Sequence, residues 1–284
     1  MNPDHTIIKR LLESNQPFFI GRIAGVELKI AHLVLKGTPS TSREYQEERA
    51  RLQTNAGIYT KTDESVQEYA KQLLEAYDHC TVIAEWERTG KVFSFTGMGQ
   101  ELIAARTPHI PKINALSLEP YYVPDPYSWM SALQGKRILV IHPFVHTMTQ
   151  QTEHFAKLFP GREWFKDCTF QFLAPPFTLA GNHQGKDWQE HLQRFLDTLD
   201  QSTEFDVALV AAGGYGMMIS DYLYTKHNKS VLYIGGALQL FFGIIGKRWF
   251  DNKEILSLVN DDWVRPGQAE RPAHFIRVEK GCYW

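Results

Sequence analysis

Asp206-Val-Ala-Leu-Val-Ala-Ala-Gly-Gly-Tyr-Gly216 is the stretch that decides the fold class. An apolar run of strand length enters a glycine-rich turn directly, and the pattern of a helix follows over Met217–Lys226. A second apolar strand, Ser230–Ile234, then ends in Gly235-Gly236. Strand, glycine turn, helix, strand, glycine turn is the layout of an α/β unit that holds phosphate. Glycine lets backbone N–H groups come close to an anion, and a helix N-terminus adds partial positive charge. The spacing matches neither the G-x-G-x-x-G of dinucleotide folds nor a Walker A loop. Tight strand-to-helix turns are therefore the plain alternative. The basic pair Lys247-Arg248, set between Gly246 and Trp249, tilts the reading toward a phosphate-bearing ligand. Gly213, Gly214, Tyr215, Gly216, Gly235 and Gly236 become candidates for holding a nucleotide and its phosphates. Tyr215 and Trp249 are candidates for stacking on a base or sugar.

Upstream and downstream, strands alternate with helices. Helical spacing predicts helices over about Thr6–Ser14, Val26–Leu35, Glu64–Tyr77, Thr149–Leu158 and Trp188–Leu199. Apolar runs predict strands at Phe18–Arg22, Val82–Glu85, Val92–Phe95, Ile113–Leu118, Gly135–His142 and Phe170–Leu173, with Gly97-Met-Gly99 breaking the chain. The expected fold is α/β and Rossmann-like, a mainly parallel sheet flanked by helices. Ligands on such sheets sit at the carboxyl ends of the strands. Three prolines within Glu119–Tyr127 mark a stiff connection, which divides the chain into residues 1–118, a Pro-rich connection 119–134, and a nucleotide-binding part 135–284. One continuous domain fits the same pattern.

Composition narrows the class. The 284 residues carry 30 Lys and Arg against 32 Asp and Glu, a net charge of −2, so the basic excess of a general nucleic-acid binder is missing. The aromatic residues, 7 Trp, 12 Tyr and 17 Phe, suit a core and also stacking on sugars or bases. Three well-separated cysteines, Cys80, Cys168 and Cys282, fit reduced thiols better than a disulfide framework. The N-terminal residues do not have the pattern of a signal peptide, and no apolar run reaches spanning length, so the expected location is cytoplasmic with at most peripheral membrane contact.

Several residues are candidates for chemistry. Glu27 follows the Phe18–Arg22 strand, five residues after Arg22. A carboxylate there could act as a general base, although an acid in a first helical turn more commonly just complements the helix dipole. His142, at a strand end before Pro143-Phe144, suits a catalytic base, a donor to phosphate or a structural role equally. Lys247 and Arg248 together offer a point charge and a planar donor fork for a diphosphate. Asn260-Asp-Asp-Trp-Val-Arg265 mixes amide, acid, aromatic and base, which suits sugar hydroxyls and equally a surface turn. Asn260, Trp263 and Arg265, with Trp249, are the candidate substrate contacts. No zinc-ligand spacing and no nucleophile elbow occur.

The segment Phe19-Ile-Gly-Arg-Ile-Ala-Gly-Val-Glu-Leu28 resembles the Arg-Phe-Gly-Asp-Gly-Glu-Leu signature of the GT-D glycosyltransferases, a group first catalogued as a domain of unknown function. Asn55-Ala-Gly57, Gly135–Phe144, Gly213–Gly216, Ile234–Gln239, Phe242–Trp249 and Asn260–Pro266 look like blocks of a bacterial branch of that group, so the resemblance covers nearly the whole chain. It implies a GT-D-like fold and transfer of a hexosyl-type sugar from a nucleotide-diphosphate donor, often a UDP-sugar, to a growing surface glycan or glycolipid. By position, Arg22 and Glu27 match the family's Arg and Glu. The family's Asp, the first acid of an Asp-x-Glu motif linked to a metal at the donor site, falls on Gly25. That departure argues against a required cofactor, manganese or magnesium included. Fixed cations such as Arg22, Lys247, Arg248 or Arg265 would then stabilise the departing diphosphate. Two other readings keep the phosphate site: a transferase of a pyruvyl or phospho group to a glycan, and a non-catalytic nucleotide- or glycan-binding protein.

Overall fold

The computed structural model describes residues 2–124, 127–202 and 204–284. Seven strands form one parallel sheet: β1 (Phe19–Arg22), β2 (Val82–Glu85), β3 (Lys112–Asn114), β4 (Arg137–Ile141), β5 (Thr169–Leu173), β6 (Val207–Val210) and β7 (Ser230–Tyr233), in the order β3-β2-β1-β7-β6-β4-β5. The helices are α1 (Pro3–Glu13), α2 (Gly25–Leu35), α3 (Arg43–Arg51), α4 (Asp63–Asp78), α5 (Gly90–Arg106), α6 (Val145–Gln151), α7 (Phe155–Leu158), α8 (Trp188–Leu199), α9 (Gly216–Thr225) and α10 (Lys253–Leu256). The protein is thus an α/β, Rossmann-like sheet flanked by helices.

The five inner strands are apolar on both sides, so each feeds two cores, while the edge strands carry polar residues, Lys112 and Asn114 in β3 and Thr169 and Gln171 in β5. Leu139, Ala208 and Val231 pack with α2, α4, α8 and α9 on one face. Ile138, Val140, Leu209 and Leu232 pack on the other with α1, Trp129 and the C-terminal Trp284. Unbroken apolar runs are what a strand buried on both faces requires. The connections β1→β2, β2→β3, β5→β6 and β6→β7 place their helices on the first face, while β3→β4 and β4→β5 return over the second. Right-handed crossovers demand that split. One sheet joins the two halves of the chain, because Phe19 and Ile20 of β1 pair with Val231 and Leu232 of β7. In the Pro-rich connection, Asp125 and Pro126 lie outside the described residues.

Three expectations fail locally. Of the strand expected at Ile113–Leu118, only Ile113 and Asn114 belong to β3, and Ala115–Leu118 form a 3-10 turn. Val92–Phe95 is not a strand, and Gly97–Gly99 does not break the chain; both lie within α5. Gly99 serves packing instead: a Cβ there would stand 2.4 Å from the Cβ of Leu28, so the glycine lets α5 press onto α2. The polar helix α3 has no apolar stripe and gives no periodic signal. Among the described residues, no helix is long and apolar enough to cross a membrane.

Candidate functional site

Because every strand is parallel, all the carboxyl ends open on one edge of the sheet. A cavity of about 470 Å³ lies there, within the size range of small-molecule sites. It is walled by Arg22 at the end of β1, Trp86 after β2, His142 after β4, Gly213 after β6 and Gly235-Gly236 after β7. Glu27 of α2, Phe95 of α5, Arg248, Trp249 and the chain terminus complete it.

Arg22 is buried and fixed. Its Nη2 donates to Glu119 Oε1 at 2.6 Å, its Nη1 donates to the Ile234 carbonyl, and its guanidinium lies 4.5 Å from the centre of the Trp86 ring. Its Nε has no hydrogen-bond partner among the described residues. The Tyr77 hydroxyl donates to the Arg22 carbonyl at 2.8 Å and accepts from the Ala24 N–H at 3.3 Å, which pins the turn from β1 into α2. That turn places Glu27 in the first turn of α2, only 9 % exposed. Burial raises its carboxyl from 4.5 to about 7, against the pull of its own backbone N–H; the nearby Glu279 pushes it further up. A carboxyl that titrates near neutrality inside a cavity is suited to proton transfer.

His142 differs. Its Nδ1 accepts from the Phe144 N–H at 2.9 Å, so the neutral ring carries its proton on Nε2. Burial drives its pKa down to about 3. The ring is therefore a neutral hydrogen-bond donor, which favours the donor and structural readings of His142 over the base.

Arg248 is reached by the C-terminal segment. Its Nη2 donates to Glu279 Oε2 at 2.5 Å, its guanidinium lies 4.4 Å over the Tyr283 ring, and its backbone N–H donates to the Cys282 carbonyl at 2.8 Å. Gly236 permits this closure, since a Cβ there would meet the Tyr283 ring at 2.3 Å.

The other sequence candidates lie elsewhere. Of the 213–216 turn, only Gly213 lines the cavity. Gly214 packs on Ile58, and Gly216 packs on the Tyr233 ring. The Tyr215 hydroxyl is buried against the Gly57 carbonyl and Thr178, so its ring is not free to stack on a ligand. Lys247 is exposed and outside the cavity. Asn260 donates to the Lys157 and Leu158 carbonyls, the Trp263 indole donates to the Leu158 carbonyl, and Arg265 sits over Phe250. These three hold the polar 260–265 segment in place and do not line the cavity. Residues that sequence reasoning missed include Trp86, Phe95, Glu119, Glu279 and Tyr283. Only the aromatic terminus, Gly281-Cys-Tyr-Trp284, signalled an ordered role. Trp284 is indeed anchored, its Nε1 donating to the Glu270 carbonyl at 3.1 Å.

The donor set does not fit a protein-held divalent cation. Among the described residues no three His, Cys, Asp or Glu side chains gather as a metal group. In the cavity Glu119 and Glu279 are each committed to an arginine. At Gly25 a Cβ would stand 2.2 Å from the Phe95 ring, so the space of a second acid is taken.

No protein-family model matches the chain, and no curated protein matches it. Among solved structures it is similar to one described as "The highly conserved domain of unknown function 1792 has a distinct glycosyltransferase fold". The two are 13% identical over 93% of this chain and 100% of that chain, with a TM-score of 0.41. At that level the likeness settles neither fold nor activity.

Proposed function

We propose that the protein is a glycosyltransferase that moves a sugar from a nucleotide-diphosphate sugar, a UDP-sugar in the first instance, to a glycan or glycolipid acceptor. The observation that carries this reading is the grouping, in one cavity at the strand ends, of two arginines and a buried carboxyl whose pKa is about 7. Arg248 and Arg22 supply positive charge for the diphosphate, and His142 supplies an N–H donor. Trp86, Trp249 and Tyr283 give the cavity aromatic walls, with Arg22 set over Trp86 and Arg248 over Tyr283.

In the proposed reaction, the acceptor hydroxyl oxygen bonds to the anomeric carbon while the bond from that carbon to the diphosphate oxygen breaks. The hydroxyl proton passes to Glu27, and the electron pair of the broken bond leaves on the diphosphate. Fixed cations facing the leaving group act without reorganising at the moment of reaction, which is where such sites gain most. The proposal needs no protein-held metal.

The test is release of free UDP from a panel of UDP-sugars in the presence of glycan acceptors, beside binding measured by calorimetry. Turnover that depends on both donor and acceptor supports the reading. UDP-sugar binding with no UDP released over long incubation overturns it in favour of a binding protein. Transfer of a pyruvyl or phospho group instead would keep the cavity and change the chemistry.

A further inference from the structure

Both arginines of the cavity already hold an acid, and the two acids are built differently. Glu119 belongs to the framework: it is 6 % exposed, and its second oxygen accepts from the Tyr121 hydroxyl at 3.0 Å. Glu279 is loose by comparison, with 43 % of its side chain exposed. One oxygen, Oε2, takes both the Arg248 guanidinium and the Cys282 thiol, the latter at 3.4 Å.

The backbone that presents Glu279 is also unusual. Glu279 and Lys280 adopt left-handed conformations, φ 46° and 60°, followed by Gly281 at 76°. Non-glycine residues in that region cost energy and recur at ligand clamps and switches. Around this turn the chain is anchored. The Gly281 N–H donates to the Val278 carbonyl at 2.8 Å, Val278 is buried, and the Cys282 carbonyl holds the Arg248 N–H. Arg248 itself rests on the Tyr283 ring. The carboxylate of Glu279 can therefore swing toward solvent while the guanidinium stays in place. Swinging out also takes it away from Glu27, whose carboxyl it opposes.

We propose that Glu279 is a built-in counter-anion, which holds Arg248 while the cavity is empty and is displaced from it by the diphosphate of the ligand. The inference rests on the reading of the cavity as a diphosphate site. A carboxylate carries one negative charge and a diphosphate two or more, so the exchange favours the ligand, whereas a weakly charged group gains little from it. Glu279 thus sets the threshold that an anion must pass to enter.

The experiment is calorimetry on the full chain with inorganic pyrophosphate and, separately, UDP, for the wild type, Glu279→Gln, Arg248→Ala and the double variant. Glu279→Gly is a second variant with a safer fold, because glycine suits the left-handed backbone; circular dichroism checks each. The expected result is about tenfold tighter pyrophosphate binding in both Glu279 variants, the scale of one charge-assisted contact, and no gain when Arg248 is already Ala. Unchanged or weaker pyrophosphate binding in folded Glu279 variants overturns the exchange, as does a gain that survives Arg248→Ala or pyrophosphate that binds none of the proteins. Tighter pyrophosphate with no UDP binding would overturn the nucleotide reading and leave the exchange standing. UDP binding without any gain would do the reverse.

Discussion

Arg22 and Glu119 form an ion pair at 2.6 Å with both side chains about nine-tenths buried, and it ties the end of β1 to the segment after β3. Breaking such a pair from one side strands a buried charge, which costs about 3–5 kcal/mol. Arg22→Ala should therefore destabilise the protein by that order, and adding Glu119→Gln should recover part of the loss. Arg248 and Glu279 are more exposed, so Arg248→Ala should cost no more than about 1 kcal/mol of stability. The same variant should weaken UDP binding by about 1.5–3 kcal/mol, the value of a charged hydrogen bond. Urea denaturation with calorimetry separates the two; a UDP affinity unchanged by Arg248→Ala would remove that arginine from the site.

UDP should raise the melting temperature and free uridine should not, because the cationic groups of the cavity answer to the phosphates. At a hundredfold its dissociation constant a ligand adds about 2.7 kcal/mol of apparent stability. A flat thermal-shift response across millimolar nucleoside diphosphates would refute the nucleotide site.

Glu27→Gln should act on activity and stability in opposite directions. Turnover should fall by roughly a hundredfold or more, the scale of general-base loss, with donor affinity nearly kept. Stability follows from the raised carboxyl. Between about 4.5 and 7 the folded state binds more protons than the unfolded state, so stability falls as pH rises through that window. At about 1.4 kcal/mol per pH unit, the cost of holding Glu27 ionised reaches an order of 3 kcal/mol above pH 7. Glu27→Gln should be more stable than the wild type at pH 8 and lose that advantage near pH 4.5. Wild-type turnover in the variant would take Glu27 out of the mechanism.

His142 predicts an acid limb. Its folded-state pKa is depressed from 6.5 to about 3, so the unfolded state binds the proton more readily. Its contribution to stability is complete above pH 6.5 and is lost as pH falls toward 3. His142→Gln should flatten the stability–pH slope between pH 6 and 4, measured by chemical denaturation at fixed ionic strength. An unaltered slope would show that the ring is not the buried neutral group described.

Turnover should survive EDTA, or gain only modestly from manganese. Phe95 fills the space beside Gly25, and Glu119 and Glu279 are tied to arginines. Complete loss of activity with EDTA, restored by manganese, would mean that substrate phosphates and Glu27 assemble a site together.

What the sequence determined by itself was the alternation of elements. The apolar run 207–212, the glycines that end it and the stripe of Trp188–Leu199 express local propensity and period, and α8 spans the very residues of that stripe. The parallel sheet and the placing of ligands at its carboxyl ends follow from that alternation. That Arg22, Glu27 and His142 lie near the carboxyl edge could be read from the sequence, because each sits at or just beyond a strand end. The tertiary structure alone decided which polar residues share a space. Val92–Phe95 has a strand-like composition, yet packing of Gly99 on Leu28 holds it in a helix. Tyr215 belongs to a glycine turn but is consumed by Gly57 and Thr178, while Lys247, next to Arg248, is exposed and does not line the cavity its neighbour enters. Glu279 meets Arg248 across 31 residues, and Glu119 meets Arg22 across 97. Contacts at such separations depend on how the crossovers bring distant loops to one edge of the sheet, and no local period or spacing encodes that.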